Sequence, residues 1–470
     1  MASKKILIAN RGEIALRIIR ACQSLNLRTI TIYPSEDKDS LHVRKGDESV
    51  NIQSPLGPMG YIDTDVIIET AIKYGADAIH PGYGFLAENP TFVEKLEKNN
   101  LIFIGPSSKV MKILGPKLEA RRFMKKFNVP IIPGTLEPIK DKESALEIAE
   151  QLGYPVMIKA SLGGGGRGIR VVKNKEELGL YLDVARDESQ TAFGDTQILI
   201  EKYIPNSRHI EFQFIGDSYG NVYHFGEREC SIQRRHQKLI EEAPSPIINN
   251  TLRKKIGMLI VNAIKKSGYV GTGTAECLFD ENGNFYFLEV NARIQVEHPV
   301  TELVYNIDLV QLQIRACLGE KLNFNQSNIR PGKHAIEFRI TAEDMLNNFL
   351  PTPGRISQLY IPENPSLRWD SYIYEGYTMP GYYDSLLGKA IVHGPDRRTT
   401  LTIADTILSK FVIKGIPTTI PFHRLVVRDK NFIRGDYNTN FVPALLEKIN
   451  DAKKFWFEFR GSWNVPRAAY

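Results

Sequence analysis

The sequence predicts a combination of α/β and α+β architecture. A Rossmann-like parallel-sheet domain comes first, then a central domain rich in hairpins, then a C-terminal α+β domain. Three observations lead there. Strand and helix patterns alternate through residues 5–104. A run of glycines stands between two apolar, strand-like segments inside 154–172. Beyond Pro331-Gly332, several strand patterns precede one helix.

Residues 5–9 read as a buried strand. The Asn10-Arg11-Gly12 turn then opens a helix with Ile14, Ile18 and Cys22 on one stripe and Ala15 and Ile19 beside it. A second strand is predicted at 28–33. Asp63 or Thr64 caps a helix over 65–74 that Gly75 ends; 77–80 is a short strand, 90–99 a helix and 101–104 another strand. This pattern implies a parallel sheet covered on both faces, forming a domain over 1–113. Residues 114–330 are expected to hold a mixed sheet. Its signals are the flanks of the glycine run, a strand within 197–205, half-polar alternation over 209–214 and a helix over 251–267. In 331–447, strands at 334–340, 355–362 and 386–393 precede a helix near 399–412. The tail, 448–470, is aromatic and basic.

Composition narrows the function classes. The chain has 470 residues, 42% apolar and 24% charged, which suits about three globular domains. Its 60 Lys and Arg against 54 Asp and Glu leave a net charge of +6. The basic residues are scattered, so no nucleic acid is expected as partner. Cys22, Cys230, Cys277 and Cys317 form no Cys-x-x-Cys pair, which argues against a disulfide framework or zinc site and fits a reducing, cytoplasmic location. No apolar run reaches membrane-spanning length, and the N-terminal apolar stretch is too short for a signal peptide.

The strongest chemical signal is the alternation Glu289-Val290-Asn291-Ala292-Arg293-Ile294-Gln295-Val296-Glu297. In an extended strand its five polar side chains would line one face. Upstream, Asn282-Gly283 between two apolar runs predicts a hairpin with a two-residue loop. That register sets Glu276 opposite Glu289, with Asn291 two residues along. Like charges about 5 Å apart repel, so something positive should sit between them. Two carboxylates and an amide oxygen are hard ligands suited to Mg²⁺ bridging to phosphates.

The glycine run, Gly163-Gly164-Gly165-Gly166-Arg167-Gly168, follows Lys159 and reads as a hairpin tip. Its free N–H groups can cradle phosphate oxygens while Lys159 adds charge, and its flexibility suits a lid over nucleotide. The N-terminal turn carries one glycine where a dinucleotide fingerprint needs three, which disfavours a nicotinamide oxidoreductase. No Walker pattern occurs.

With Ile8 to Ala15, His80 to Asn89, the glycine loop, Cys230 to Lys238 and the segment 291–302 in hand, the chain resembles the biotin carboxylases of the ATP-grasp superfamily over residues 4–447. It departs at Leu162, where close relatives usually carry glycine. The resemblance implies an ATP-grasp central domain with a lid over about 130–202. The implied reaction is phosphorylation of bicarbonate by ATP to carboxyphosphate, followed by carboxylation of biotin. By the same resemblance Lys117, Lys159, Gly165 and Gly166 would contact ATP phosphates. Glu201, Lys202, Tyr203 and Ile204 would line the adenine pocket, with His209, Gln233 and His236 near ribose and phosphate. Glu276, Glu289 and Asn291 would hold Mg²⁺ or Mn²⁺, the two glutamates also belonging to the ATP site. Lys238, Arg293, Gln295 and Val296 would bind bicarbonate and Glu297 would take its proton. Tyr83 and Arg339 would meet biotin, Arg339 stabilising its enolate.

Two rivals remain: another ATP-grasp ligase acting on bicarbonate, of the carbamoyl-phosphate-synthetase kind, and a catalytically silent nucleotide-binding regulator. The only Met-Lys pairs are Met111-Lys112 and Met124-Lys125, neither in a biotinyl turn, and no room remains for a carboxyltransferase. The expected form is therefore a homodimeric, stand-alone component of an acyl-CoA or pyruvate carboxylase complex. It would work on a separate biotin carboxyl carrier protein, beside carboxyltransferase subunits.

Overall fold

The computed structural model describes residues 3–160, 169–193 and 197–449. Gly165, Gly166 and Leu162 lie outside the described residues, as does the tail beyond 449.

The N-terminal part is built on five parallel strands: β1 (Lys5–Ile8), β2 (Arg28–Tyr33), β3 (Glu48–Asn51), β4 (Ala78–His80) and β5 (Ile102–Phe103), in the order β3-β2-β1-β4-β5. β1 is central because Ile6, Leu7 and Ile8 have no polar side to show water, and all three are fully buried. Gly12, at φ +65°, makes the turn into the helix Gly12–Ser24. That helix buries the Ile14, Ile18 and Cys22 stripe expected of it. Asp63 caps the helix Thr64–Lys73 by accepting from the Val66 N–H. The sequence pattern does not predict β3: Glu48-Ser49-Val50-Asn51 is a polar edge strand with one apolar residue.

A small three-stranded antiparallel sheet follows, with β6 (Val156–Ala160) between β7 (Ile169–Val172) and β8 (Ile198–Lys202). The strands flanking the glycine run do form a hairpin, Lys159 opposite Ile169. Helices Lys142–Leu152 and Lys175–Phe193 cover this sheet, and Val156, Ile158, Val172, Leu178, Leu182, Ile198 and Ile200 form a core of their own.

The large sheet corrects the expectation of a mixed sheet ending at 330. It has eight strands and every pairing is antiparallel. Its first members are β9 (Arg208–Gly216), β10 (Val222–Arg234), β11 (Gln237–Ala243), β12 (Gly271–Phe279) and β13 (Phe285–Asn291). β11 then pairs with β14 (His334–Thr341), which continues into Leu386–Gly394 and Leu367–Ser371. The order is β13-β12-β9-β10-β11-β14 and then those two strands. The sheet crosses the expected boundary because β11 would otherwise leave an open edge, and no local pattern reveals a partner a hundred residues away. The strand expected at 355–362 is two short pieces, Gly354–Arg355 and Gln358–Tyr360, broken at the buried Ile356 and paired with different strands. The strands are followed by the helix Arg397–Lys410. Among the described residues no helix is long and apolar enough to cross a membrane.

Candidate active site

Four neighbouring strands place ionisable residues in one row of the large sheet: Glu289 on β13, Glu276 on β12, Glu211 on β9 and Arg228 on β10. The expected Glu276–Glu289 pairing is present, but for a reason the sequence did not suggest. The hairpin loop is longer than Asn282-Gly283. Asp280 and Asn284 close it, Asp280 accepting from the Asn282 and Asn284 N–H groups, and Gly283 takes φ +79°. This shifts the register by one residue, so that Cys277 faces Phe287. A bulge between Glu276 and Cys277 then leaves Leu288 unpaired and restores Glu276 opposite Glu289.

Three carboxylates on adjacent strands lie close enough to repel. Side-chain cations answer them. Lys117, at the head of the helix Lys117–Lys126, sits 2.8 Å from Glu289. Arg228 is fully buried and donates to Glu211. Lys238 on β11 reaches Glu211, Glu276 at 3.0 Å and Glu297 at 2.7 Å. Burial opposes the charge on Lys238, but Glu211, Glu276 and Glu297 outweigh it and raise its pKa far above the ordinary ammonium range. His209 brings Nε2 to 3.0 Å from Glu276. Burial lowers its pKa, yet Glu276 makes the net shift upward.

The alternation after Asn291 does not stay a strand, which corrects the expected common face. β13 ends at Asn291, residues 295–298 turn, and Glu297 stands at the N-cap of the helix His298–Tyr305 with Pro299 in its first turn. The polar residues converge all the same. Asn291 donates to Glu276 (2.8 Å), and Arg293 donates to Asn291 (3.1 Å), Gln295 (3.0 Å) and Glu88 (2.9 Å). Glu297 is fully buried between Lys238 and Arg339, at 2.7 and 2.9 Å. Burial would raise its pKa, but Lys238, then Arg339 and Arg228, hold it well below the usual carboxylate range. Arg339 on β14 also donates Nε to Glu241 at 2.6 Å. The Val296 carbonyl accepts from buried Lys389 at 2.8 Å, and Lys389 pairs with Glu13, which takes the Tyr83 hydroxyl hydrogen bond.

On the other side, Lys159 and the buried Arg121 both engage Glu201. Lys202 donates to the Gly153 carbonyl at 2.6 Å and the Tyr203 N–H to that of Pro155. Ile204 follows β8 in the connection to β9. Gln233 pairs with Lys238 beside a two-residue turn in which Arg235 and His236 take φ +49° and +64°. Two non-glycine residues in the left-handed region cost about 1–3 kcal/mol each, a strain typical of positions kept for function.

Glu276, Glu289 and the Asn291 amide oxygen form a donor set that fits a hard dication. Here Lys117 and Lys238 supply the positive charge that the pairing demands, with His209 beside Glu276. The sequence reading missed Glu211, Arg228, Arg121, Glu88, Glu241 and Lys389. For Glu211 the signal was present, since the alternation over 209–214 puts it on the His209 face.

The described geometry is a row of carboxylates on the large sheet, each met by a lysine, arginine or histidine side chain, with a second such cluster around Glu201 on the small sheet. Comparison with known proteins agrees. The family "Biotin carboxylase, N-terminal domain" matches residues 2–111, "Carbamoyl-phosphate synthase L chain, ATP binding domain" matches 116–325 and "Biotin carboxylase C-terminal domain" matches 337–444. A biotin carboxylase from Nostoc sp. is 48% identical over 95% of this chain and 100% of its own length. Biotin carboxylase 1 from Bacillus subtilis is 47% identical, over 94% of this chain and 98% of its own. The biotin carboxylase domain dimer of Hydrogenobacter thermophilus 2-oxoglutarate carboxylase, solved with MgADP, ADP and bicarbonate, superimposes with a TM-score of 0.91. It is 45% identical and covers 94% of this chain and 97% of that one. The chain belongs to the biotin carboxylase family.

Proposed function

We propose that the chain carries out the first half-reaction of a biotin-dependent carboxylase: ATP-dependent carboxylation of biotin with bicarbonate. The observation that carries the chemistry is the buried Glu297 carboxylate, held at 2.7 Å by Lys238 and 2.9 Å by Arg339, with Arg293 and Gln295 in the same network. An anion bound beside Lys238 and Arg293 would meet a base already ionised and shielded from water. In the free protein Glu297 is a weak base, because the two cations stabilise its charge. Bicarbonate takes a share of that field, and the proton affinity of Glu297 rises as the substrate binds. The proton passes from the bicarbonate hydroxyl to Glu297. A bicarbonate oxygen then bonds to the γ-phosphorus of ATP while the bond to the β-γ bridging oxygen breaks, giving carboxyphosphate and ADP.

Lys117 and Lys159 are the candidates for the ATP phosphates, aided by Gly165 and Gly166. Glu201, Lys202, Tyr203 and Ile204 would border adenine; the Lys202 side chain is already tied to the Gly153 carbonyl, which leaves backbone groups for contact. His209, Gln233 and His236 would lie toward ribose and phosphate. Glu276, Glu289 and Asn291 would hold Mg²⁺ or Mn²⁺, which when bound offsets charge on the transferring phosphoryl group. Val296 lends its backbone to bicarbonate. Arg339 stabilises the biotin enolate, with Tyr83 close to the same end through Glu13 and Lys389.

The proposed units are 1–113, 114–330 with a closing lid over about 130–202, and 331–447. The separate apolar core of the small sheet supports the lid. A homodimer is the proposed assembly, supported by the dimeric relative. A separate biotin carrier and carboxyltransferase subunits would be its partners, in the cytoplasm, where four unbridged cysteines are stable. Bicarbonate-dependent ADP release, measured with and without biotin, tests the function. Stimulation by biotin supports it; ADP release indifferent to biotin favours a ligase with another acceptor.

A further inference from the structure

Among the described residues, three buried carboxylate oxygens near the proposed base have no hydrogen-bond partner: both of Glu337 and Oε2 of Glu241. The two residues stand directly opposite each other on β14 and β11, and both side chains are fully buried. Cross-strand neighbours have Cβ atoms about 5 Å apart, within reach of one O–H···O bond. The nearest cations on this face donate elsewhere: Lys389 to Glu13 and the Val296 carbonyl, Arg339 to Glu297 and the other oxygen of Glu241. Ala243, Ala335 and Ile391 around the pair pack against Val300 and Val304 of the helix His298–Tyr305. Two ionised carboxylates here would lack solvent and leave these three oxygens without a donor, whereas one proton satisfies an oxygen of each.

We propose that Glu337 carries a proton donated to Glu241 Oε2, and that this shared proton positions Arg339, which Glu241 grips through its other oxygen and which also holds Glu297. The proposal rests on the reading of Arg339 and Glu297 given above. Glu241 and Glu337 are positioning residues and touch no substrate. While the proton is present, the pair carries one negative charge and Arg339 divides between Glu241 and Glu297. When it leaves at high pH, the doubly charged pair draws Arg339 toward itself and away from the reacting end.

The charged and titratable groups around the pair are Lys389 on the next strand, Arg339 and Lys238 on β14 and β11, Glu297 and His298 at the head of the covering helix, and Arg228 and Cys230 on β10. On the opposite face, the helix Arg397–Lys410 directs Arg397 to Glu242 at 2.7 Å. Burial raises Glu337 well above the usual range, with Glu241 and Glu297 adding to it against Lys389 and Arg339; burial likewise raises Glu241 despite Arg339.

Glu337→Gln supplies a permanent neutral donor to Glu241. Infrared difference spectra of full-length wild type and Glu337→Gln should show a protonated carboxylic acid at neutral pH in the wild type alone. The pH profile of biotin-dependent ADP release should fall on the alkaline side in the wild type. In Glu337→Gln it should move up by about one pH unit or more, with neutral-pH kcat within about threefold. If that variant does not fold, the wild-type acid band must bleach in parallel with the alkaline fall in activity. No acid band, or an alkaline limb that Glu337→Gln leaves in place, overturns the proposal. A wild type without any bicarbonate-dependent ADP release would instead fail the functional reading, and the infrared band would still decide the shared proton.

Discussion

Glu297→Gln is the perturbation that bears hardest on the proposed chemistry. In the structure Glu297 accepts one bond from Lys238 (2.7 Å) and one from Arg339 (2.9 Å). The amide can accept from only one of them, and its own NH₂ must face the other cation, donor against donor. It also cannot take a proton. General-base removal costs about 10²–10⁴ in rate, which is about 3–5 kcal/mol at about 1.4 kcal/mol per tenfold. The lost charge should leave the anion site more positive, so bicarbonate KM should hold or fall while kcat collapses. ATP KM should change little, because Lys117 and Lys159 pair with Glu289 and Glu201 instead. The assay is steady-state bicarbonate-dependent ADP release at saturating ATP and biotin. A variant within about threefold of wild-type kcat, or one whose defect lies wholly in ATP KM, would show that Glu297 is not the base.

Glu289→Gln should raise the Mg²⁺ concentration needed for half-maximal activity and free Lys117, since it removes one of two opposed carboxylates; a normal Mg²⁺ titration would contradict the donor set. Hydrogen exchange in β6 and β7 should slow when ATP is added if the small sheet closes over nucleotide, and equal rates in both states would exclude closure. Light scattering at micromolar concentration should give twice the chain mass, and a monomer would refute the dimer. Thermal stability should fall on acidification from about 6.5 toward 4. Burial lowers His42, His224 and His423 to about 4 and His80 to about 3. In that window the unfolded chain binds protons that these four folded histidines refuse; the raised His209, Glu241 and Glu337 oppose this but are fewer, so stability should rise with pH, and a melting temperature flat between pH 4 and 6.5 would contradict it.

What the sequence made legible was local. The stripe Ile14, Ile18 and Cys22 and the apolar Ile6-Leu7-Ile8 each specify an element and its buried face, and both stand as read. Helix ends followed the caps, as at Asp63. Turn chemistry was only half legible. Asn282-Gly283 marked a hairpin, but Asp280 drew two backbone N–H groups into a longer loop, and the bulge beside Glu276 undid the resulting shift. The Glu276–Glu289 pairing thus stands because the longer loop and the bulge offset each other. Non-local pairing was not legible at all. Nothing near Glu241 announces Glu337, because that partner is set by the strand order of the large sheet. For the same reason Arg293, Gln295 and Glu297 were expected to meet on one strand. They meet because the chain turns at 295–298 and a helix cap brings Glu297 back to Lys238.

The pairing of cations explains how so charged a pocket can fold before its substrates arrive. Each cation assigned to an anionic substrate already has a carboxylate: Lys117 has Glu289, Lys159 has Glu201, Lys238 has Glu297, Arg293 has Glu88 and Arg339 has Glu241. An unpaired buried charge would shift its pKa and neutralise, or destabilise the sheet by several kcal/mol. A paired one stays ionised and in place, so the folded protein bears the desolvation of its cations in advance. On the proposed reading, bicarbonate and the phosphates would enter a field that is already oriented, and would compete with carboxylates rather than with water. The competition carries a specificity. A neutral carboxylic acid or carbon dioxide brings no charge with which to loosen Lys238 or Arg339 from Glu297, so it cannot raise the proton affinity of that base. On the proposed reading only an anion carrying its own transferable proton would do both, and bicarbonate meets that condition at neutral pH.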